Sequence, residues 1–300
     1  MSARQQAKFL PDGRRLHLQD GPIDLVIQAD GAPAAIDIAY DAACERFATL
    51  LDELCAELPQ LRQRLTKDSV LPQGPVAARM AEAAQPYAAK HFITPMVAVA
   101  GAGAEAILNA MVGAAPLSRA YVNNGGDIAL HLDDGATFEI GMVDRPDQPR
   151  LFGKLAIKSG DKIRGIATSG RHGRSFSLGI ADAVTVLATN APGADAAATM
   201  IANAVDLPNH PGIIRVPADS LQPDSDLGRH LVTRAVGTLT RTEIARALAR
   251  GVRFADSLLA GGQIHAAALH LSGQTRLVHA SPGLMTTIGQ AKEAFTHAAS

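Results

Sequence analysis

The chain has 300 residues, of which 47% are hydrophobic and 19% are charged, and its formal net charge at pH 7 is −1. This composition supports a large apolar core and argues against intrinsic disorder. The near-zero charge and the 4% aromatic content argue against a surface for nucleic acid or anionic membranes, which needs a basic field and, for single strands, stacking platforms.

Cys44 and Cys55 are the only cysteines and are predicted to share one helix. Their spacing along a helix separates them by roughly 16 Å, whereas a disulfide needs Cα atoms within about 7 Å. We therefore predict free thiols, as in a reducing compartment. The N-terminus lacks the apolar segment of a signal peptide, and no stretch is expected to be long and apolar enough to span a bilayer. The sequence thus predicts a cytoplasmic protein.

The first third of the chain predicts a hairpin followed by helices. Residues 14–31 alternate apolar and polar side chains around Asp20-Gly21-Pro22, as β-hairpins do. Helical apolar periods follow, and prolines mark where they are expected to end. The predicted helices cover residues 36–65 with a break at Pro59, residues 75–92 with a stop near Pro86, and an alanine-rich stretch that follows a short extended piece and a glycine turn and ends before Pro116.

The remainder of the chain is richer in predicted strands. Strands are expected over residues 119–132, 136–143, 151–158, 161–168 and 175–189, the last with a break at 179–182. Helices are expected over residues 193–205 and 240–259, with a polar stretch at 216–228 before a further strand and a closing hairpin at 264–280. Because strands dominate the middle and helices flank them, we predict an α+β fold rather than a regular βαβ array.

A glycine-alanine segment, residues 101–106, matches the dinucleotide fingerprint G-x-G-x-x-A, with an acid about twenty residues on at Asp127. The match is weak because a motif of this kind counts only after a strand, and the strand here would be very short. The alternative is that Gly101 and Gly103 allow close packing of a helix.

The segment YVNNGGDIAL, residues 121–130, places turn-forming residues inside a strand-like stretch: Asn123, Asn124, Gly125, Gly126 and Asp127. Glycine tolerates positive φ and leaves room for a ligand, and the amides and the carboxylate offer polar contacts. The alternative is a β-bulge or a plain hairpin turn, since Asn-Gly is a common hairpin signal.

Residues 167–175, ATSGRHGRS, concentrate hydroxyls, two arginines and a histidine around two glycines. Backbone N–H groups, hydroxyls and guanidinium groups bind anions, but no lysine follows the glycines as in a Walker loop. A solvated turn is the alternative. The residues of interest are Thr168, Ser169, Gly170, Arg171, His172 and Arg174.

Asp195 and Thr199 lie four residues apart on a predicted helix and therefore on one face of it. A carboxylate and a hydroxyl form a pair of hard oxygen ligands suited to Mg²⁺ or Ca²⁺. The alternative is that Asp195 complements the dipole of its own helix and that Thr199 bonds back to a carbonyl.

The order of these segments resembles the ApbE family, the Mg²⁺-dependent FAD:protein FMN transferases. That family shows a vN-x-GGD segment, an ATSG segment and a strand followed by ADALATAL, and the corresponding core here is residues 95–206. The chain is more similar still to an uncharacterised family of cytoplasmic ApbE-like proteins. The matching segments are FITPM (92–96), VNNGGDIAL (122–130), residues 168–186 and residues 222–228.

The resemblance implies one ApbE-like domain over residues 1–300, related to the T-fold, with mixed or antiparallel sheets, flanking helices, and a C-terminal helix and hairpin at 229–285. It implies Mg²⁺ on Asp195 and Thr199, and contacts to FAD or FMN from the turn residues 123–127 and from residues 168–170. The implied partners are a nucleotide ligand and a protein acceptor, with no nucleic acid and no membrane; a homo-oligomer is one form it could take.

Two departures leave open whether the chain is an enzyme. The family's Lys-Gly pair before the GGD strand has no lysine here, and RHGRSFSLGIAD replaces its His-x-x-Asp-Pro segment, with His172 as a loose substitute. A transferase or FAD hydrolase would use His172 as a base and Arg171 or Arg174 on the leaving phosphate. The alternatives are a non-catalytic cofactor-binding or assembly protein and, less favoured, a dinucleotide-dependent dehydrogenase.

Overall fold

The computed structural model describes residues 4–143, 151–279 and 285–287. Its backbone divides into two compact units. The first unit consists of Met1–Ala136, Ser159–Ala167 and Ala188–Ala196, and the second consists of Thr137–Lys158, Thr168–Leu187 and Ala197–Ser300. The single domain over residues 1–300 stays a prediction, and residues 280–284 of its predicted C-terminal part lie outside the described residues.

Strands and helices follow one another along the chain in runs, as in an α+β protein. The strands are β1 (Gln6–Phe9), β2 (Leu16–Asp20), β3 (Ile23–Asp30), β4 (Arg119–Asn124), β5 (Asp127–Leu132), β6 (Thr137–Val143), β7 (Leu151–Lys158), β8 (Gly165–Ser169), β9 (Ala183–Ala188), β10 (Ile213–Pro217), β11 (Leu231–Val236), β12 (Ala266–Leu271), β13 (Gln274–His279) and β14 (Met285–Thr287). The helices are α1 (Pro33–Ala56), α2 (Leu58–Leu61), α3 (Pro75–Ala84), α4 (Val99–Ala114), α5 (Ala191–Ala204) and α6 (Arg241–Ala260).

The first unit is built on an antiparallel meander. β1 to β5 pair in the order β1-β2-β3-β4-β5, and β5 also pairs with the start of β8, where Ile128 lies opposite Ile166. β2 and β3 alternate buried and partly exposed side chains, as strands with one buried face do. The predicted hairpin at residues 14–31 is confirmed, and Gly21 adopts φ +55° in its turn.

Prolines set the helix boundaries of the first unit much as the sequence predicts. α1 ends at Ala56 and the short α2 contains Pro59, which cannot donate the N–H that would continue the first helix. α3 ends at Ala84, and a single 3₁₀ turn over Gln85–Tyr87 carries Pro86. α4 packs against α1 and against β4 and β5.

The glycine turn predicted before α4 is wrong, and so is the dinucleotide interpretation. Gly101 and Gly103 lie inside α4, and a 3₁₀ helix over Pro95–Ala98, not a strand, precedes it. A Cβ on Gly101 would lie 2.5 Å from the carbonyl oxygen of Ala191, so this glycine lets α4 approach the start of α5. Close packing, the alternative interpretation, is what the structure shows.

The continuous helical segment Pro95–Ala114 corrects a second expectation. By length and composition it is apolar enough to cross a membrane. Buried helices in the interior of globular proteins meet the same criteria, and α4 buries a face that runs from Gly101 to Met111.

The second unit contains three sets of antiparallel pairs. β6 pairs with β7 and β7 with β14, β10 pairs with β11, and β12 pairs with both β9 and β13. α6 packs against β12 and β13, and the predicted closing hairpin at residues 264–280 is confirmed for its described part. The α+β class with antiparallel sheets and flanking helices is therefore confirmed.

Two predicted strands are shorter than expected. β8 begins at Gly165 rather than at residue 161, and β9 covers only the last part of residues 175–189. The segment before β9 is irregular because it passes against the end of α5, where a Cβ on Gly179 would lie 2.1 Å from the carbonyl oxygen of Ala202. Residues 179–182 are irregular, as predicted, but the strand expected before them, over residues 175–178, is absent.

The N-terminus of α6 carries a reciprocal cap that allows a first test of the structure. Thr240 Oγ1 accepts the N–H of Glu243, and Glu243 Oε2 accepts the N–H of Thr240. Thr240→Ala is expected to lower the free energy of unfolding by about 1 kcal/mol, because one helix-end N–H loses its partner. The measurement is urea unfolding followed by circular dichroism. Thr242→Ala, an exposed change in the same first turn, serves as the control and is expected not to destabilise.

Candidate functional site

The GGD segment forms the turn between β4 and β5. Asn124 lies opposite Asp127, which leaves Gly125 and Gly126 as a two-residue loop with φ of +66° and +116°. The side-chain oxygen of Asn123 accepts the N–H of Gly126 at 2.8 Å and fixes the turn. The interruption of the strand is therefore a hairpin turn, and the open space around Gly126 leaves one side of it accessible.

Asn124 ties this turn to the start of α4. The side chain is buried, and its Nδ2 donates to the carbonyl oxygen of Ala100 at 3.1 Å. Gly103 lies next to this amide, and a Cβ at that position would be in ordinary van der Waals contact with Nδ2 at 3.5 Å. The GGD turn and the first turn of α4 are thereby joined within the first unit.

Asp195 contacts the same turn of α4 as Asn124 does. Its Oδ2 accepts the N–H of Gly101 at 2.9 Å, one of the N–H groups that a helix leaves unpaired at its start. The beginning of α5 itself is capped by Asn190, whose Oδ1 accepts the N–H of Gly193 at 2.8 Å. Asp195 therefore complements the dipole of α4 and not that of its own helix, which corrects the alternative considered from the sequence.

Burial changes the acidity of Asp195. The side chain is almost wholly removed from solvent, and this desolvation raises the pKa of Asp195 to about 7, although the N–H groups of Gly101 and Ala100 act in the opposite direction. Near neutral pH the carboxyl group is thus poised between its protonated and ionised forms. A cation placed against it would favour the ionised form.

Thr199 lies one turn further along α5, in the second unit. Its hydroxyl donates to Ser169 Oγ at 3.2 Å, so the predicted bond back to a carbonyl is not what this hydroxyl makes in the structure. Because the hydroxyl hydrogen of Thr199 points towards Ser169, the oxygen lone pairs of Thr199 are available to bind a metal ion. By helical spacing, Asp195 and Thr199 lie on one face of α5.

The end of β8 presents hydroxyl groups in the second unit. Thr168 Oγ1 and Thr185 Oγ1 are 3.0 Å apart, and Ser169 accepts from Thr199 as described. Gly170 follows with its Cα pressed against the backbone of Asp182, where a Cβ would lie 2.4 Å from the carbonyl oxygen. Of the residues predicted as anion contacts, the structure therefore brings Ser169 together with the predicted metal ligand Thr199.

The three residues predicted as catalytic differ in their surroundings. Arg171 Nη2 and His172 Nε2 lie 2.6 Å and 3.4 Å from Asp182 Oδ1, so both side chains meet one carboxylate. Arg174 is exposed. Sequence reasoning missed Asp182; the available signal was an acid directly before β9, a strand whose side chains are all buried.

If Asp195 and Thr199 hold a metal ion, the bound nucleotide has to supply further oxygen ligands. Within the described residues, no group of three or more His, Cys, Asp and Glu side chains could hold a metal ion. Asp195 and Thr199 alone are too few ligands for Ca²⁺, whereas Mg²⁺ is commonly held by one or two protein oxygens together with substrate phosphates and water. The residues present fit Mg²⁺ on that condition.

Comparisons with known proteins identify relatives over most of the chain. The model of a family described as "AbpE bacteria" matches residues 7–277. The UPF0280 protein of Methanopyrus kandleri is 34% identical over 182 residues, which are 60% of this chain and 69% of that protein. The UPF0280 protein of Methanosarcina acetivorans is 34% identical over 193 residues, 64% of this chain and 72% of that protein. Among solved structures, the apo form of the flavinyl transferase ApbE of Pseudomonas stutzeri aligns over 96% of both chains with 14% identity and a TM-score of 0.40.

Proposed function

Because the chain belongs to the AbpE bacteria family, we propose that it binds a flavin nucleotide with Mg²⁺ and acts on the pyrophosphate of FAD. The observation that carries the proposal is the buried Asp195 at the start of α4, beside the buried amide of the GGD hairpin. A desolvated acid with a strongly raised pKa is typical of functional sites. A buried carboxylate is also a suitable ligand for a divalent cation.

Asp195 and Thr199 would hold Mg²⁺ from one face of α5, and the phosphates would complete its coordination. Bound there, Mg²⁺ neutralises the charge that develops on the pyrophosphate. Thr168 and Ser169 offer hydroxyl donors to phosphate oxygens, whereas the N–H groups of Arg171 and Gly173 already donate to carbonyl oxygens within the protein. The GGD turn supplies polar groups to the nucleotide.

In the transfer, His172 takes the proton of the acceptor hydroxyl. A bond forms between the acceptor oxygen and the FMN-side phosphorus, and the bond from that phosphorus to the bridging oxygen breaks, so AMP leaves with the bridging oxygen. Arg171 or Arg174 meets the leaving phosphate; Arg174 is exposed, and the guanidinium of Arg171 also contacts Asp182. A Ser or Thr acceptor gives a flavinylated protein, and water gives free FMN.

A non-catalytic cofactor-binding or assembly protein is the second candidate. The ion pair between Arg171 and Asp182 favours it, because a guanidinium already neutralised by a carboxylate stabilises a leaving phosphate less. The absence of a lysine near Ala100–Glu105, where the resemblance implies one, points the same way.

AMP release separates the two candidates. The parent protein, Asp195→Asn and the control Asp256→Asn, an exposed acid on α6, are incubated with FAD and either Mg²⁺ or EDTA. We expect AMP from the parent and the control only with Mg²⁺, and a rate at least roughly tenfold lower for Asp195→Asn. Chromatography measures AMP and FMN, and mass spectrometry detects flavin attached to an added acceptor protein.

The remaining outcomes are equally informative. Saturable FAD binding without AMP selects the non-catalytic candidate. AMP release that is as fast in EDTA, or as fast in Asp195→Asn as in the parent, contradicts the metal assignment. If the protein neither binds FAD nor releases AMP, the flavin proposal is wrong.

A further inference from the structure

Asp182 is a point where several segments of the second unit meet. Its Oδ1 accepts from Arg171 Nε at 2.8 Å and lies 2.6 Å from Arg171 Nη2 and 3.4 Å from His172 Nε2. Its Oδ2 accepts the N–H of Ser272 at 2.6 Å. Its own N–H donates to the carbonyl oxygen of His270 at 3.0 Å. One carboxylate thus connects the loop after β8 to the turn between β12 and β13.

Two backbone features accompany the contacts of Asp182: the left-handed conformation of Ser272 and a hydrogen bond from Arg171. Ser272 adopts φ +46°, a left-handed conformation that costs a residue with a side chain, and in it the N–H of Ser272 meets the carboxylate. On the other side, the N–H of Arg171 donates to the carbonyl oxygen of Ala181 at 2.9 Å. The loop carrying His172 is therefore fixed to the residue that precedes its charged partner.

We infer that Asp182 is a positioning residue that orients His172 by presenting a shared carboxylate oxygen to its Nε2 and to the guanidinium of Arg171. The inference rests on the proposed function for its catalytic meaning, since His172 is the base in that proposal. In other enzymes a carboxylate orients a catalytic histidine and stabilises the imidazolium that forms on proton uptake. Here the contact is an ion pair of 3.4 Å, and the charge of Asp182 would act on His172 in the same direction. Arg171 then has an electrostatic role, because its charge offsets that of Asp182.

The shared oxygen gives the inference an electrostatic signature. The side chains of Asp182 and His172 are only 11% and 22% exposed, so solvent screens their interaction incompletely. Removing the carboxylate leaves His172 next to a cation, and removing the guanidinium leaves it next to an unshared anion. The two changes should move the titration of His172 in opposite directions, which a loss of packing would not do.

The experiment compares Asp182→Asn, Arg171→Gln and the control Asp256→Asn in the full chain. Heteronuclear NMR of the His172 ring, assigned with His172→Gln, gives its titration midpoint without any substrate. We expect the midpoint to fall by about 0.5–1 pH unit in Asp182→Asn and to rise by a similar amount in Arg171→Gln. In the AMP assay we expect kcat to fall at least roughly tenfold in Asp182→Asn, with KM for FAD within about threefold of the parent.

Each result decides one question. An unmoved His172 midpoint in both variants, or shifts of the same sign, overturns the positioning role even if activity is lost. If Asp182→Asn does not fold, a midpoint that fails to rise in Arg171→Gln overturns it. A parent that makes no AMP contradicts the proposed function, while the substrate-free titration still tests the contact between Asp182 and His172.

Discussion

Gly101→Ala is expected to destabilise the protein by about 3 kcal/mol or more, the upper range for overpacking a core. The added methyl group would lie 2.5 Å from the carbonyl oxygen of Ala191 and 2.8 Å from the backbone N of Pro192. Neither is the end of a flexible side chain, so α4 or α5 has to shift. The shift would also disturb the hydrogen bond from the Gly101 N–H to Asp195. Urea unfolding measures the change.

Gly113→Ala on the same helix is the matched control. No atom lies within 4 Å of the position of its Cβ, so the substitution only replaces glycine with a better helix former, and we expect it to stabilise by about 0.5–1 kcal/mol. Opposite signs for two identical substitutions on α4 would support the packing described above. A small effect of Gly101→Ala, comparable with that of Gly113→Ala, would show that α4 and α5 do not approach so closely.

The contrast between these two glycines shows why part of the fold could be predicted from the sequence. Turns such as Asp20-Gly21-Pro22 and the two-residue GGD loop follow from local chemistry, since the residues that form them are adjacent in the chain. The reason for Gly101 lies in α5, about ninety residues away. The sequence therefore indicated that close packing was one option, but it could not identify the neighbour that makes it necessary.

The candidate site has the same limitation. The segments that carry the resemblance were recognisable because they are contiguous, and the predicted membership of an ApbE-like family is confirmed. The partners of individual side chains were not predictable. Asp195 accepts from an N–H that is 94 residues away, and Asp182 meets Arg171 only because an irregular segment returns the chain to it. A pattern of residue types shows which groups are present, whereas their protonation and orientation depend on these distant contacts.

Asp195→Asn is expected to be more stable than the parent at pH 8, in the absence of metal and nucleotide, and to lose part of the dependence of stability on pH. The reason is linkage: burial raises the folded pKa of Asp195 from 3.8 to about 7. Between those pH values the folded protein retains a proton that the unfolded chain has released. The contribution of this group to stability is therefore fully present below about pH 4 and is lost as the pH rises through 7.

The full loss amounts to about 4 kcal/mol, given a pKa difference of about 3 units and about 1.36 kcal/mol for each unit. Because other groups also titrate, the quantity to measure is the difference in unfolding free energy between parent and variant, determined by urea unfolding in EDTA at pH 5, 6, 7 and 8. We expect Asp195→Asn to gain on the parent from pH 5 to pH 7 and the gain to level off above pH 7, where the carboxyl group is ionised in the folded protein as well. The amide oxygen of the variant still accepts the N–H of Gly101 without carrying a buried charge. Asp256→Asn, exposed on α6, should show no such trend. A difference that is constant from pH 5 to pH 8 would mean that Asp195 is ionised in the folded protein throughout this range. Burial would then not destabilise the ionised carboxylate, and this argument for a bound cation would be lost.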